Sequence, residues 1–266
     1  MKRRRDVHEV TEKRKRAVPF LPNFITTMSL FCGFYSLMFS LKGNYYMAAI
    51  FILISAFIDG IDGRVARMTN STSEFGKEYD SLSDLVAFGV APAIMVYLWQ
   101  LNSYGRLGFI ASFLFVACGA LRLARFNIDT TGGMTHFTGL PIPIAAAAIA
   151  STYLITSVAG SFPSLSILIG VYILSFLMVS SIPYPSFKHI SYIKAHPFQL
   201  LVAGVLLLVV VALAPDYMFF ILAMTFIVGG AAWSGIVYVF SARREKKEVK
   251  SRTHEHETVT REDHNF

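Results

Sequence analysis

Charge is scarce in this chain. Only 15% of its 266 residues are Asp, Glu, Lys or Arg, against 54% that are hydrophobic. A water-soluble domain of this length would need more polar surface than that, so the scarcity points to a chain whose middle lies in lipid. Cysteine is nearly absent, and Cys32 and Cys118 both fall inside apolar runs, which argues against a disulfide framework. No Ser-His-Asp or Cys-His arrangement is evident, so nothing suggests a covalent intermediate on the protein. His136 and His189 stand alone, without metal-ligand spacing. No repeat of 20–50 residues is present, which disfavours an array.

The charge that remains is concentrated at the ends. Lys2-Arg3-Arg4-Arg5, Lys13-Arg14-Lys15-Arg16 and Arg243-Arg244-Glu245-Lys246-Lys247 hold 12 of the 24 basic residues in a chain of net charge +7. Each cluster stands outside an apolar segment, where basic residues set orientation and attract anionic headgroups. The expected surroundings are therefore membrane lipids, and no nucleic acid.

Apolar stretches near 24–41, 46–68, 84–101, 107–123, 140–159, 165–182, 198–214 and 217–240 approach the roughly 17–25 residues a helix needs to cross a bilayer. The first exceeds an ordinary leader's apolar region and reads as a retained span. The positive-inside rule then selects a topology. With eight spans and both termini cytoplasmic, Lys42 and Arg106 are the only basic residues on the far side, out of 24. The expected fold is an all-α, polytopic transmembrane helical bundle of about eight spans. It divides into a basic cytoplasmic N-terminal tail (1–23), a membrane domain (24–240) and a charged cytoplasmic C-terminal tail (241–266).

Against that background, four aspartates lie close together: Asp59, Asp62, Asp80 and Asp84. A carboxylate at the bilayer centre costs roughly 2.5–3.5 kcal/mol on insertion scales, so such a group calls for a counter-charge. Asp59, Asp62, Gly63 and Ala66 share one helical face, as do Gly76, Asp80 and Asp84 on the following helix. A helical hairpin joined by Thr69–Phe75 brings the faces together. Converging carboxylates repel unless cations lie between them, and hard oxygen ligands suit Mg²⁺ or Mn²⁺. Gly63, Ala66 and Gly76 leave the backbone open to a flat or phosphate-rich ligand, and Arg67 offers a fork of donors for phosphate. These are the components of phosphoryl transfer.

The full pattern is D-x-x-D-G-x-x-A-R-x8-G-x3-D-x3-D, matched at every fixed position by Asp59, Asp62, Gly63, Ala66, Arg67, Gly76, Asp80 and Asp84. It resembles the signature of the CDP-alcohol phosphatidyltransferases, membrane enzymes that exchange the CMP of a CDP-lipid for an alcohol. The resemblance implies a two-metal centre held by Asp59, Asp62, Asp80 and Asp84. Asp84 would also orient and help deprotonate the incoming hydroxyl. Asn23, Asp62, Gly63, Ala66, Arg67 and Gly76 would bind the CDP group and its phosphates. A homodimer is also implied.

That signature leaves the acceptor alcohol open. Three further blocks resemble the bacterial and archaeal phosphatidylserine synthases of this family: Leu21-Pro22-Asn23-Phe24-Ile25-Thr26, Ala120-Leu121-Arg122-Leu123-Ala124-Arg125-Phe126-Asn127, and Val179 to Lys188. They imply CDP-diacylglycerol and L-serine as substrates and CMP as product. Arg122 and Arg125 could supply the cation that a serine carboxylate needs, or simply obey the positive-inside rule. Asn127 could orient the amino acid or cap a turn. Lys188 could meet the lipid phosphate or the serine carboxylate, or act as an interfacial anchor. A sister enzyme using glycerol 3-phosphate or inositol phosphate would require a denser basic pocket. A divalent-cation channel or carrier would not place Arg67 beside its aspartates.

Overall fold

A computed structural model describes residues 20–68, 73–131, 139–160, 162–182, 214, 216–230 and 232. All regular structure among them is helical: α1 (Phe20–Leu41), α2 (Tyr45–Met68), α3 (Glu74–Asp84), a π-helical turn (Leu85–Val90), α4 (Ala91–Trp99), a 3₁₀ turn (Leu101–Tyr104), α5 (Arg106–Thr131), α6 (Ile142–Ala159) and α7 (Ser164–Val179). Helix α8 is Asp216–Gly230. Among the described residues, four helices are long and apolar enough to cross a membrane: Pro22–Leu41, Glu74–Trp99, Arg106–Ile128 and Ile142–Ala159. Tyr45–Ile61, Ser164–Val179 and Asp216–Gly230 are shorter apolar helices. The chain is an integral membrane protein. The expected span at 198–214 and both charged tails lie outside the described residues, apart from the first few residues of α1.

Two connections expected from hydropathy are partly helical. Helix begins at Glu74, ten residues before the apolar run, because Ser73 caps it. Ser73 is extended (φ −120°, ψ 153°), and its Oγ accepts the Gly76 N–H at 3.0 Å, satisfying a free donor of the first turn. Likewise α5 continues past Leu123 to Thr131: Ala124 and Arg125 are strong helix formers, and Asn127 is hydrogen-bonded to Lys77 and Ser81 of α3, although the polarity of the segment looks loop-like. Asn127 is therefore on a helix and does not cap a turn.

The π-helical turn has a local cause. Pro92 has no N–H and stands in the first turn of α4, so the hydrogen-bond ladder cannot close through it. The Ala91 N–H instead donates to the Val86 carbonyl, five residues back. Such widened turns are frequent at functional sites, and this one follows Asp84 directly.

The bundle closes around α2, α4, α5 and α6, where Ile52, Met95, Phe115, Ile142 and Leu154 are fully enclosed together with Phe88 of the π-helical turn. Close approaches set the geometry. A methyl group on Gly33 would stand 2.6 Å from the Ala87 Cα, and one on Gly119 would stand 2.6 Å from Ile142 Cδ1. Small residues thus let helices approach where lipid supplies no hydrophobic drive. Buried hydroxyls add interhelical bonds: Ser29 and Ser55 Oγ meet at 2.8 Å, joining α1 to α2. Trp99 and Tyr45 each pack edge-on against Tyr153, with centroids at 5.0 and 5.9 Å. Large side chains such as Phe57, Phe109, Phe113 and Phe176 point outward, as they do when the surrounding solvent is lipid.

Candidate active site

The last turns of α2, the whole of α3 and the C-terminal end of α5 form one polar end of the bundle. Asp59 projects from α2, while Asp80 and Asp84 lie one turn apart on α3. One carboxylate oxygen from each of the three lies within 4.8 Å of the others, and all three residues are half-buried. Asp59 and Asp84 are in hydrogen-bonding contact through their carboxyl groups. Two carboxylates so close require a cation or a proton between them. An all-oxygen donor set on rigid helices suits a hard divalent cation, so the residues fit the metal their spacing implied.

Asp62, Gly63, Ala66 and Arg67 belong to the final turns of the α2 backbone, and their side chains lie outside the described residues. Asp62 stands one turn beyond Asp59 on that helix. Gly76 and Asn23, from α3 and α1, are brought together. A Cβ on Gly76 would sit 3.2 Å from Asn23 Oδ1 and 3.1 Å from Ser73 Oγ. The bare backbone at Gly76 is therefore what allows α1 and α3 to approach here. Tyr79 OH and Thr27 Oγ1, 3.0 Å apart, join the same two helices.

Arg122 completes the electrostatics. It is half-buried on α5, and Asp84 is the charge that acts on its guanidinium. Its Nε is enclosed and has no hydrogen-bond partner among the described residues. Arg125, one turn further on, is exposed. The two arginines therefore differ in setting: one faces the aspartates and the other lies at the surface. Lys188 lies outside the described residues.

Asn127 is held from α3. Its carbonyl accepts a hydrogen bond from Lys77 Nζ at 2.9 Å, and its Nδ2 donates to Ser81 Oγ at 3.0 Å. Lys77 and Ser81 did not emerge from sequence reasoning, because they occupy positions that the aspartate pattern leaves unspecified. The signal that could have found them is their i, i+4 spacing on the face that continues to Asp84.

The family model for CDP-alcohol phosphatidyltransferase matches residues 19–182, which take in every described part of this site. The chain belongs to that family. It is a transferase, and members of the family depend on divalent metal. Among its relatives is the CDP-diacylglycerol–serine O-phosphatidyltransferase of Helicobacter pylori, 43% identical over 180 residues, or 64% of this chain and 74% of the relative. The archaetidylserine synthase of Methanothermobacter thermautotrophicus is 39% identical over 178 residues, covering 66% of this chain and 74% of that protein. The CDP-diacylglycerol–serine O-phosphatidyltransferase of Bacillus subtilis is 36% identical over 169 residues, covering 64% of this chain and 92% of the relative.

Proposed function

We propose that this phosphatidyltransferase moves the phosphatidyl group of CDP-diacylglycerol to L-serine, giving phosphatidylserine and CMP. The observation that carries this reading is the Asp59–Asp80–Asp84 cluster with Arg122 directed at it from α5. The similarity to serine-using relatives supports the choice of acceptor.

Asp59, Asp62, Asp80 and Asp84 would hold two divalent cations, Mg²⁺ or Mn²⁺. Bound there, the metal supplies positive charge that offsets the diphosphate and the charge developing on departing CMP. The protein's own residues do the rest. Asn23, Arg67 and the open backbone at Gly63, Ala66 and Gly76 bind the cytidine diphosphate group. Asp84 orients the serine hydroxyl and takes its proton at a carboxylate oxygen. The hydroxyl oxygen attacks the lipid-proximal phosphorus, the bond to the CMP oxygen breaks, and that oxygen keeps the electron pair. Arg122, with Arg125 beside it, meets the serine carboxylate through its planar fork of donors. Lys188 is a further candidate for the lipid phosphate or the serine carboxylate.

Eight spans with both termini in the cytoplasm complete the reading. In that topology the aspartate cluster opens at the cytoplasmic face of the cell membrane, where soluble serine meets a membrane-anchored nucleotide-lipid. The working unit is a homodimer in lipid. The test is CMP release by the purified protein with CDP-diacylglycerol, Mg²⁺ or Mn²⁺, and each alcohol in turn. Release with L-serine is expected. Release with glycerol 3-phosphate or inositol phosphate, but not with serine, overturns the acceptor.

A further inference from the structure

Three side chains of α3 converge on a single residue of α5. Lys77 Nζ donates to the Asn127 carbonyl oxygen at 2.9 Å. Asn127 Nδ2 donates to Ser81 Oγ at 3.0 Å and to Glu78 Oε2 at 3.4 Å. A carboxylate only accepts, so Glu78 determines which end of the amide faces it. Ser81 Oγ lies 3.3 Å from Asn127 Oδ1 and 3.1 Å from the Lys77 carbonyl, either of which can take its proton. The Asn127 side chain is thus engaged at both its nitrogen and its oxygen by α3. The Lys77 ammonium also lies near the C-terminal turns of α5, where the helix dipole favours a cation.

The position of this tie matters. Lys77, Ser81 and Asp84 recur at i, i+4 and i+7, so the stripe that grips Asn127 runs directly to the reactive carboxylate. On α5, Arg122 and Arg125 lie within five residues of Asn127. The Lys77–Glu78–Ser81 group is thus a direct tie between α3 and α5, five residues along α5 from Arg122, whose charge acts on Asp84. The tie restrains both the separation and the rotation of α5 relative to α3. Without it, α5 could turn and carry the Arg122 guanidinium away from Asp84.

We infer that Asn127 is a positioning residue. Tied to Lys77, Glu78 and Ser81, it holds α5 so that Arg122 and Arg125 present their guanidinium groups at the distance serine requires. It acts through the arginines and does not touch the amino acid. The inference rests on the serine-transfer reading above and refines its acceptor pocket.

The test is steady-state kinetics of the full chain in mixed micelles, with serine and CDP-diacylglycerol varied separately. Ser81→Ala and Asn127→Ala should each raise the serine KM by about tenfold and leave the CDP-diacylglycerol KM within about twofold. The double variant should be no worse than the worse single one, because both break the same tie. Ser81→Thr, which keeps the hydroxyl, should restore the serine KM. Lys77→Gln provides a second route should Ser81→Ala fail to fold, with the same KM split expected. An unchanged serine KM, an equal loss toward both substrates, multiplying effects in the double variant, or failure of Ser81→Thr to rescue would each overturn the inference. Absence of serine-dependent CMP release from the unaltered protein would overturn the serine reading itself, and this inference with it.

Discussion

Gly33 on α1 lies against Ala87 so closely that a methyl group added to it would stand 2.6 Å from the Ala87 Cα and 2.7 Å from its Cβ. Ala87 sits in the π-helical turn three residues after Asp84, so this packing contact and a carboxylate of the acidic cluster share one short segment. Gly33→Val should therefore disturb both stability and catalysis. Overpacking of this kind costs roughly 1–3 kcal/mol. A lowered thermal midpoint in detergent, together with reduced CMP release, is the expected result. An unchanged midpoint would show that α1 and the turn can separate freely.

Asp59 of α2 lies with Asp80 and Asp84 of α3 in one cluster whose carboxylate oxygens fall within 4.8 Å of one another. Asp59→Asn and Asp80→Asn should raise the Mg²⁺ or Mn²⁺ concentration needed for half-maximal activity. The increase should exceed the roughly 10–100-fold that loss of an outer-shell partner produces. Metal titration of each purified variant reads this directly, and an unaltered requirement would remove both residues from the ligand set.

Dialysis against EDTA should abolish CMP release and lower the thermal midpoint, since a ligand that binds only the folded state stabilises it. Either Mg²⁺ or Mn²⁺ should restore both quantities. Activity that survives exhaustive chelation would contradict the assigned use of the aspartates.

Asp84→Asn keeps the shape of the side chain but removes the carboxylate oxygen to which we assign the serine proton. At saturating metal, kcat should fall by roughly 10²–10⁴-fold, the usual worth of a positioned general base. The CDP-diacylglycerol KM should change far less. Retained turnover would leave Asp84 as a structural or metal-binding group only.

Arg122 faces Asp84 with its Nε enclosed. Arg122→Lys preserves the charge but loses the planar fork, so the serine KM should rise by about tenfold, and Arg122→Gln should be worse. The comparison is made by varying serine at saturating CDP-diacylglycerol. Equal KM values for all three proteins would place the carboxylate contact elsewhere.

Hydropathy located the lipid but not the helix ends. Residues 74–83 and 124–131 are too polar to count as spans, yet both are helical. Hydropathy reports the medium around a segment, whereas helix formation follows propensity, capping and packing. The cap at Ser73 and the continuation of α5 through Leu123-Ala124-Arg125 therefore had to be seen in the fold.

The amino-acid sequence by itself determined the membrane character, the facial grouping of the aspartates within each helix, and the reaction family. Scarcity of charge and residue spacing along a single helix are local properties that need no knowledge of neighbours. The tertiary structure alone decided that Asp59 reaches Asp80 and Asp84, that Arg122 is directed at Asp84, and that Asn127 is gripped by Lys77, Glu78 and Ser81. These residues are brought together from separate helices by close approaches such as Gly33 on Ala87, and spacing along one helix says nothing about which neighbour it will face.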